Sequence, residues 1–178
     1  MLFRSRRPDT PVGDRFGAVR DGYVVRREGD VHVAEVATAP EDAVAHFAAL
    51  LDELPEQLDL AIWCARSGDR YRGEGRFRSE IAEALGPLLR HLARAGGVEI
   101  TIFSAEDQLT LSLSVELWVY SRSARWPLVL AARGIEEVAT LRRRAWIVRA
   151  HEFTGAPEVV QSVRDMAERL TLSAAPHP

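Results

Sequence analysis

The amino-acid sequence predicts an α+β fold: a two-layer sandwich in which amphipathic helices pack on one face of a mainly antiparallel sheet. Two observations lead to this prediction. Apolar residues alternate with a period of two through most of residues 98–133, and segments at 40–54 and 77–95 carry apolar residues at helical spacing. Because such alternation is typical of half-buried strands, we interpret 98–133 as a three-stranded meander on which the sheet is built.

Chain length and composition predict one folded domain. The chain has 178 residues, of which 47% are hydrophobic and 28% charged, which is ordinary for a protein with its own core. Residues 1–20 contain several Pro and Gly and few apolar side chains, so we expect a mobile N-terminal arm. Residues 21–172 should then form a single α+β domain, and residues 173–178 a disordered tail.

The first third of the chain alternates strand-like and helix-like segments. Residues 22–38 predict a hairpin with Gly29 in its turn. Residues 40–54 predict a helix, because Pro40 suits a first helical position and the apolar residues recur at helical spacing. Residues 58–67 are apolar on both faces, which is typical of a central strand.

A second helix is predicted at 77–95, where Gly86–Pro87 should kink or break it. The meander follows immediately. The segments predicted after the meander are a turn or loop at 134–141, a strand at 144–150 and a helix at 157–170.

Two polar stretches divide the meander into its strands. Residues 105–108 and 122–125 are each four residues long, a common hairpin loop length, which leaves 126–133 as the third strand. The alternation also predicts that Leu113 and Leu117 both face the helices and belong to the core.

Composition excludes several classes of function and favours a cellular setting. All 23 Lys or Arg residues are Arg, and the chain also lacks Asn, which indicates a GC-rich, bacterial genome. A net charge of −3 argues against a nucleic-acid-binding protein. A single cysteine favours a reducing compartment. The N-terminus resembles no secretory signal, and no apolar run is long enough for a membrane span, so we expect a cytoplasmic protein with no membrane partner.

No arrangement of residues predicts catalysis, a metal site or a cofactor. The five histidines lie apart at positions without ligand spacing: His32, His46, His91, His151 and His177. Cys64 falls in the middle of a predicted strand, where a small buried hydrophobic role is expected. No nucleophile-elbow pattern is present, and although an enzymatic role stays open, the sequence favours a protein without one.

One glycine-rich segment suggests an anion-binding loop. Residues 68–75 lie between a predicted strand end and a predicted helix start, where helix N-terminal amides often bind anions. In that hypothesis Arg70, Tyr71 and Arg72 contact the anion. The segment lacks both the Walker A and the GxGxxG patterns, so an exposed turn kept in water by its charges is the other interpretation.

The predicted register places aromatic residues on the sheet face opposite the Leu/Val stripe, where an antiparallel sheet normally carries polar residues. The predicted contact residues are Phe103, Trp118, Tyr120 and Val129, with Arg122, Arg125 and Arg133 as the rim. Either the final helix or the N-terminal arm covers this patch, or the patch is an interaction surface.

The hypothesis that follows is a non-enzymatic protein-interaction module of a bacterial cytoplasm, such as an adaptor, a chaperone or an immunity-type inhibitor. Its partner would be another protein or a second copy of the chain, and not a nucleic acid or a membrane. The alternative is a small domain or enzyme that binds an anionic ligand through the Arg-containing loop at 68–75.

Overall fold

The computed structural model describes residues 22–141 and 152–176. Eight strands are formed in these ranges: β1 (Gly22–Glu28), β2 (Val31–Ala37), β3 (Gln57–Cys64), β4 (Arg70–Phe77), β5 (Val98–Phe103), β6 (Asp107–Leu111), β7 (Leu117–Ser121) and β8 (Ser173–Ala174). The helices are α1 (Pro40–Leu50), a 3₁₀ turn (Leu51–Glu53), α2 (Arg78–Ala95), α3 (Trp126–Ala132) and α4 (Pro157–Arg169).

The strands form one open antiparallel sheet in the order β1-β2-β7-β6-β5-β3-β4-β8. Each of the four helices contributes side chains to a single core cluster, together with strand residues that share one sheet face. Phe47 of α1 and Leu85 of α2, for example, are fully buried in this cluster. Burial of each such side chain stabilises the fold by about 1.5–3 kcal/mol before entropy is subtracted. The α+β sandwich predicted from the sequence is therefore confirmed.

Most of the predicted elements form, and α2 is one that differs in detail from the prediction. Of the kink or break predicted at Gly86–Pro87, the break is wrong, because α2 continues through Pro87 as one helix of 18 residues. Leu85 and Leu88 on either side of the proline are fully buried. Their packing offsets the backbone hydrogen bond that a proline inside a helix removes, which costs about 3 kcal/mol.

The second turn of the meander lies at residues 112–116 and not at the predicted 122–125. The alternation through 109–119 does not form one strand, because residues 112–116 turn the chain between β6 and β7. The Ser112 backbone N–H donates to the Glu116 carbonyl oxygen (2.8 Å), and Val115 occupies the left-handed region with a φ of 59°. Leu113 consequently lies half-buried in a turn, and its predicted core position is wrong.

The predicted third strand at 126–133 is also wrong, since this segment forms α3. Trp126 and Leu130 lie one helical turn apart and are both buried in the core. Pro127 lies in the first turn, where its missing N–H costs no helical hydrogen bond. A short apolar run fits a strand or a buried helix equally well by periodicity, and here its packing against the helix layer decides.

The predicted loop at 68–75 is largely strand β4, which pairs with β3 through an irregular register between Leu58 and Leu60. Gly75 at this irregularity has a φ of 61°, and its N–H donates to the Asp59 carboxylate (2.8 Å). Glycine inside a strand commonly marks such a bulge. The tail also departs from the expectation of disorder, because Ser173 pairs with β4 at Arg72.

Three expectations lie outside the described residues: the N-terminal arm at 1–20, the strand at 144–150 and the last two residues of the tail. Within the ranges that are described, no helix has both the length and the apolar character needed to cross a membrane.

Candidate functional site

The face of the sheet that points away from the core cluster is the candidate site, and we call it the open face. On this face, directly paired residues of six neighbouring strands, from β2 to β4 in the sheet order, form one row across the sheet. This central row is Glu35, Trp118, Thr110, Thr101, Ala61 and Arg72. The residues directly before and after each of them along the strands point to the helix side, because side chains alternate across a strand.

Aromatic side chains occupy the middle of the open face. The rings of Trp118 and Tyr120 are stacked with centroids 6.4 Å apart and an angle of 14° between their planes. Phe103 lies in the same row as Tyr120, two strands away. All three are half-buried, and the Arg26 guanidinium lies 5.5 Å from the Trp118 ring centroid. The structure thus brings together three of the four contact residues expected from the sequence.

A fourth aromatic side chain on the open face was missed by sequence reasoning. Trp63 of β3 is half-buried and pairs across the sheet with Arg70 of β4 and Glu99 of β5. The Arg70 guanidinium lies 4.8 Å from the Trp63 ring centroid. The signal was present, since Trp63 alternates with buried residues in β3, but we expected both faces of that strand to be covered.

The open face is partly removed from water, which shifts two ionisable groups. Partial burial raises the pKa of the Glu99 carboxyl, and the nearby Arg70 charge opposes this shift. Burial likewise raises the pKa of the Tyr120 hydroxyl, while Arg26 acts in the opposite direction. Because these groups are already partly removed from water, covering them with a partner costs less desolvation free energy.

Three of the residues expected on this face lie elsewhere. Val129 belongs to α3 and packs against the core cluster. Arg125 donates from Nη2 to the Asp107 carboxylate and to the Glu53 carbonyl oxygen, each at 2.8 Å. Arg133 donates to the Ala49 carbonyl oxygen (2.9 Å). Both arginines lie on the helix side of the sheet, where Arg125 contacts β6 and the 3₁₀ turn and Arg133 contacts α1, because α3 replaces the strand that would have carried them to the open face.

Arg122 follows β7 at the rim of the sheet and is largely exposed, with its Nε 3.8 Å from an Asp30 carboxylate oxygen. It remains at the periphery of the open face, as expected from the sequence. An exposed pair of this kind contributes little to stability.

The residues of the anion-binding hypothesis do not converge. Arg70 and Arg72 lie on the open face, whereas Tyr71 between them packs against the core cluster on the other side of the sheet. The segment that the hypothesis required as a loop is the extended strand β4, and Arg70 and Arg72 lie well before the start of α2 at Arg78, so they are not on a loop at the N-terminus of that helix. In the described part of the chain, no three His, Cys, Asp or Glu side chains are placed to hold a metal ion. Cys64 is buried as a free thiol.

Comparison of the chain with family models, with curated proteins and with solved structures found no significant match.

We expect the Glu99→Gln variant to gain stability over the parent as the pH rises from about 4 to 7. Because the folded state raises the pKa of Glu99, ionisation destabilises that state, and stability declines as the pH passes above the glutamate value of about 4.3 in the unfolded chain. Urea denaturation at several pH values measures the difference. Glu106→Gln, at an exposed position, makes the same change in net charge, and an equal pH trend in both variants would contradict the prediction.

Proposed function

We propose that this protein is a non-enzymatic interaction module that binds a protein partner through the open face. The observation that carries the proposal is the half-buried aromatic surface formed by Trp118, Tyr120, Phe103 and Trp63 on the side of the sheet away from the core cluster. Contiguous apolar surface of this kind marks interaction sites. The Arg-only basic composition supports a bacterial origin and the single cysteine supports a reducing compartment such as the cytoplasm, where an adaptor, a chaperone or an inhibitor would each use such a surface.

The chemistry of the open face is that of a binding hot spot. Tryptophan, tyrosine and arginine are the residues that contribute most binding free energy in protein interfaces. Here Arg26 and Arg70 each lie over a tryptophan ring, which holds the rings in place before binding. Because the rings project from the central strands of a sheet, little side-chain or backbone entropy is lost when a partner binds.

We expect the double variant Trp118→Ser/Tyr120→Ser to bind partner proteins about a hundredfold more weakly than the parent, as loss of two hot-spot side chains predicts. Its unfolding free energy should fall by only about 1–2 kcal/mol, the range for partly exposed cross-strand pairs. Affinity capture with quantitative mass spectrometry identifies the partner, and calorimetry with that purified partner measures the dissociation constant.

Leu128→Ser is the matched control, because Leu128 is a large apolar side chain on α3 that is 76% exposed and lies away from the open face. The control should retain the capture that the double variant loses. Equal capture by all three proteins would argue against the open face as the site. A loss of several kcal/mol in the double variant would instead show that its aromatic residues belong to a second core.

A further inference from the structure

We propose that the edge of the sheet at β4 is a second binding site, which takes an extended segment of another protein as an added strand. In the free protein, residues 172–176 of the chain itself occupy this edge, and we call them the tail. The site is separate from the open face, because it is formed by the backbone edge of β4 and by the helix side of the sheet. The partner segment binds by displacing the tail.

The tail lies along β4 as a short antiparallel strand. Ser173 pairs with Arg72, and the Ala175 backbone N–H donates to the Arg70 carbonyl oxygen (2.9 Å). Main-chain pairing at an exposed sheet edge is also how strand-addition sites bind peptides, because backbone groups supply the affinity and pockets for side chains supply the specificity. The tail therefore shows the mode of binding that the edge of β4 supports.

Gly73 gives this edge a notch for one apolar side chain. Leu172 is half-buried there and packs against the core cluster. A Cβ added at Gly73 would collide with Leu172 Cδ2, whereas the backbone of Gly73 has no positive φ that would itself require glycine. Glycine inside a strand often marks such a close approach. The missing side chain thus makes room for Leu172 and selects an apolar residue at this position.

The tail is held weakly enough to be displaced. Its strand β8 has only two residues, and both are exposed. Thr171 joins the tail to α4 with a φ of 49°, a left-handed conformation that strains a β-branched residue. The Leu172 N–H donates to the Ala167 carbonyl oxygen (2.8 Å), which ends α4 in a motif that usually has glycine at the position of Thr171. A separate segment added to β4 does not require this strained residue.

The tail pairs with only part of the available edge. The Arg70 carbonyl points to the tail, and backbone groups alternate along a strand, so those of Arg72 and Glu74 point to the same side. Pairing with the tail ends at Arg72, and no other described strand pairs with Glu74 on that side. A segment that is not tethered to α4 can continue along the edge and pair with Glu74, which the tail does not.

Arg72 gives the site a preference for an acidic residue. Its side chain is exposed, and its neighbours on the adjacent strands are Ala61 and Ser173, neither of which is charged. An acidic side chain in the place of Ser173 would form a cross-strand pair of opposite charge with Arg72. The favoured partner is therefore an extended segment in which an apolar residue, facing Gly73, is followed directly by an acidic one.

NMR titration of the full chain with a synthetic peptide of residues 171–176 tests the site. Leu172→Ser should bind the peptide about tenfold more tightly than the parent, because the tail of the parent competes at an effective concentration in the millimolar range. In the Leu172→Ser background, a peptide carrying Ser173→Glu should bind about threefold more tightly than the unaltered peptide. Adding Arg72→Glu to the protein should abolish that gain.

In the same background, Gly73→Ala should weaken peptide binding about tenfold, because the new methyl group fills the notch. Gly86→Ala is the matched control, since a Cβ there meets no atom within 4 Å, and it should leave the affinity unchanged. Ala175→Pro removes the N–H that bonds to Arg70 and provides a second variant with a released tail if Leu172→Ser does not fold. Equal affinity in the parent and the released-tail variants, no saturable binding at millimolar peptide, or unchanged binding by Gly73→Ala would each overturn the proposal.

Discussion

We expect the Asp107→Ala variant to lose about 3–5 kcal/mol of unfolding free energy, the range for breaking a buried, hydrogen-bonded ion pair. Asp107 is only 7% exposed. Its Oδ1 accepts hydrogen bonds from Ser121 Oγ (2.6 Å) and Trp126 Nε1 (2.8 Å), and its Oδ2 accepts one from Arg125 Nη2 (2.8 Å). This one carboxylate therefore joins β6, β7 and the start of α3.

The loss is expected because alanine removes the carboxylate and leaves its hydrogen-bond donors unpaired. The Trp126 indole N–H would remain buried without an acceptor, and Arg125 would lose its carboxylate. Urea denaturation at pH 7 measures the loss. Asp107→Asn is the matched control, because it keeps the side-chain volume and one acceptor oxygen, and it should lose about half as much. A loss below about 1 kcal/mol in Asp107→Ala would mean that the contacts of this cluster are not formed in solution.

The second large effect distinguishes two leucines four positions apart. Leu117→Ala should cost about 2–5 kcal/mol, because Leu117 is fully buried between Val36 and Leu111 on the helix side of the sheet. Leu113→Ala should cost about 1 kcal/mol or less, because Leu113 lies half-buried in the turn between β6 and β7. Chemical denaturation of the two variants under the same conditions compares them.

The sequence pattern alone predicts equal losses for these two variants. Leu113 and Leu117 are four residues apart, so in one uninterrupted strand both would point to the same face of the sheet. Equal losses would therefore favour an uninterrupted strand over the turn at 112–116. A loss confined to Leu117→Ala would support the turn. In this turn Val115 is buried, with only 2% of its surface exposed, and Leu113 is displaced from the core.

The elements that sequence analysis located correctly are those whose hydrophobic period is long and whose ends carry turn residues. The hairpin β1–β2 has Gly29 in its turn with a φ of 65°, and α2 carries its apolar stripe over 18 residues. Local periodicity suffices for such elements, because one face of each must be buried whatever it packs against.

The candidate site was predictable only in part. The alternation of β7 places Trp118 and Tyr120 on one face, and the structure keeps them there. It moves Val129, Arg125 and Arg133 to the helix layer, because a seven-residue apolar segment with a proline near its start folds as a helix against the core. Trp63 and its partner Arg70 join the site through the pairing of β3 with β4, which local sequence does not reveal.

The amino-acid sequence by itself determined the class of fold, the helices α1, α2 and α4, the hairpin, and the aromatic character of one strand face. Only the tertiary structure decided that 70–77 is a strand, that 126–132 is a helix, and which residues complete the open face. The physical reason is that periodicity reports how a segment divides between buried and exposed sides, whereas short or polar segments take their conformation from the neighbours that satisfy their backbone hydrogen bonds and bury their side chains.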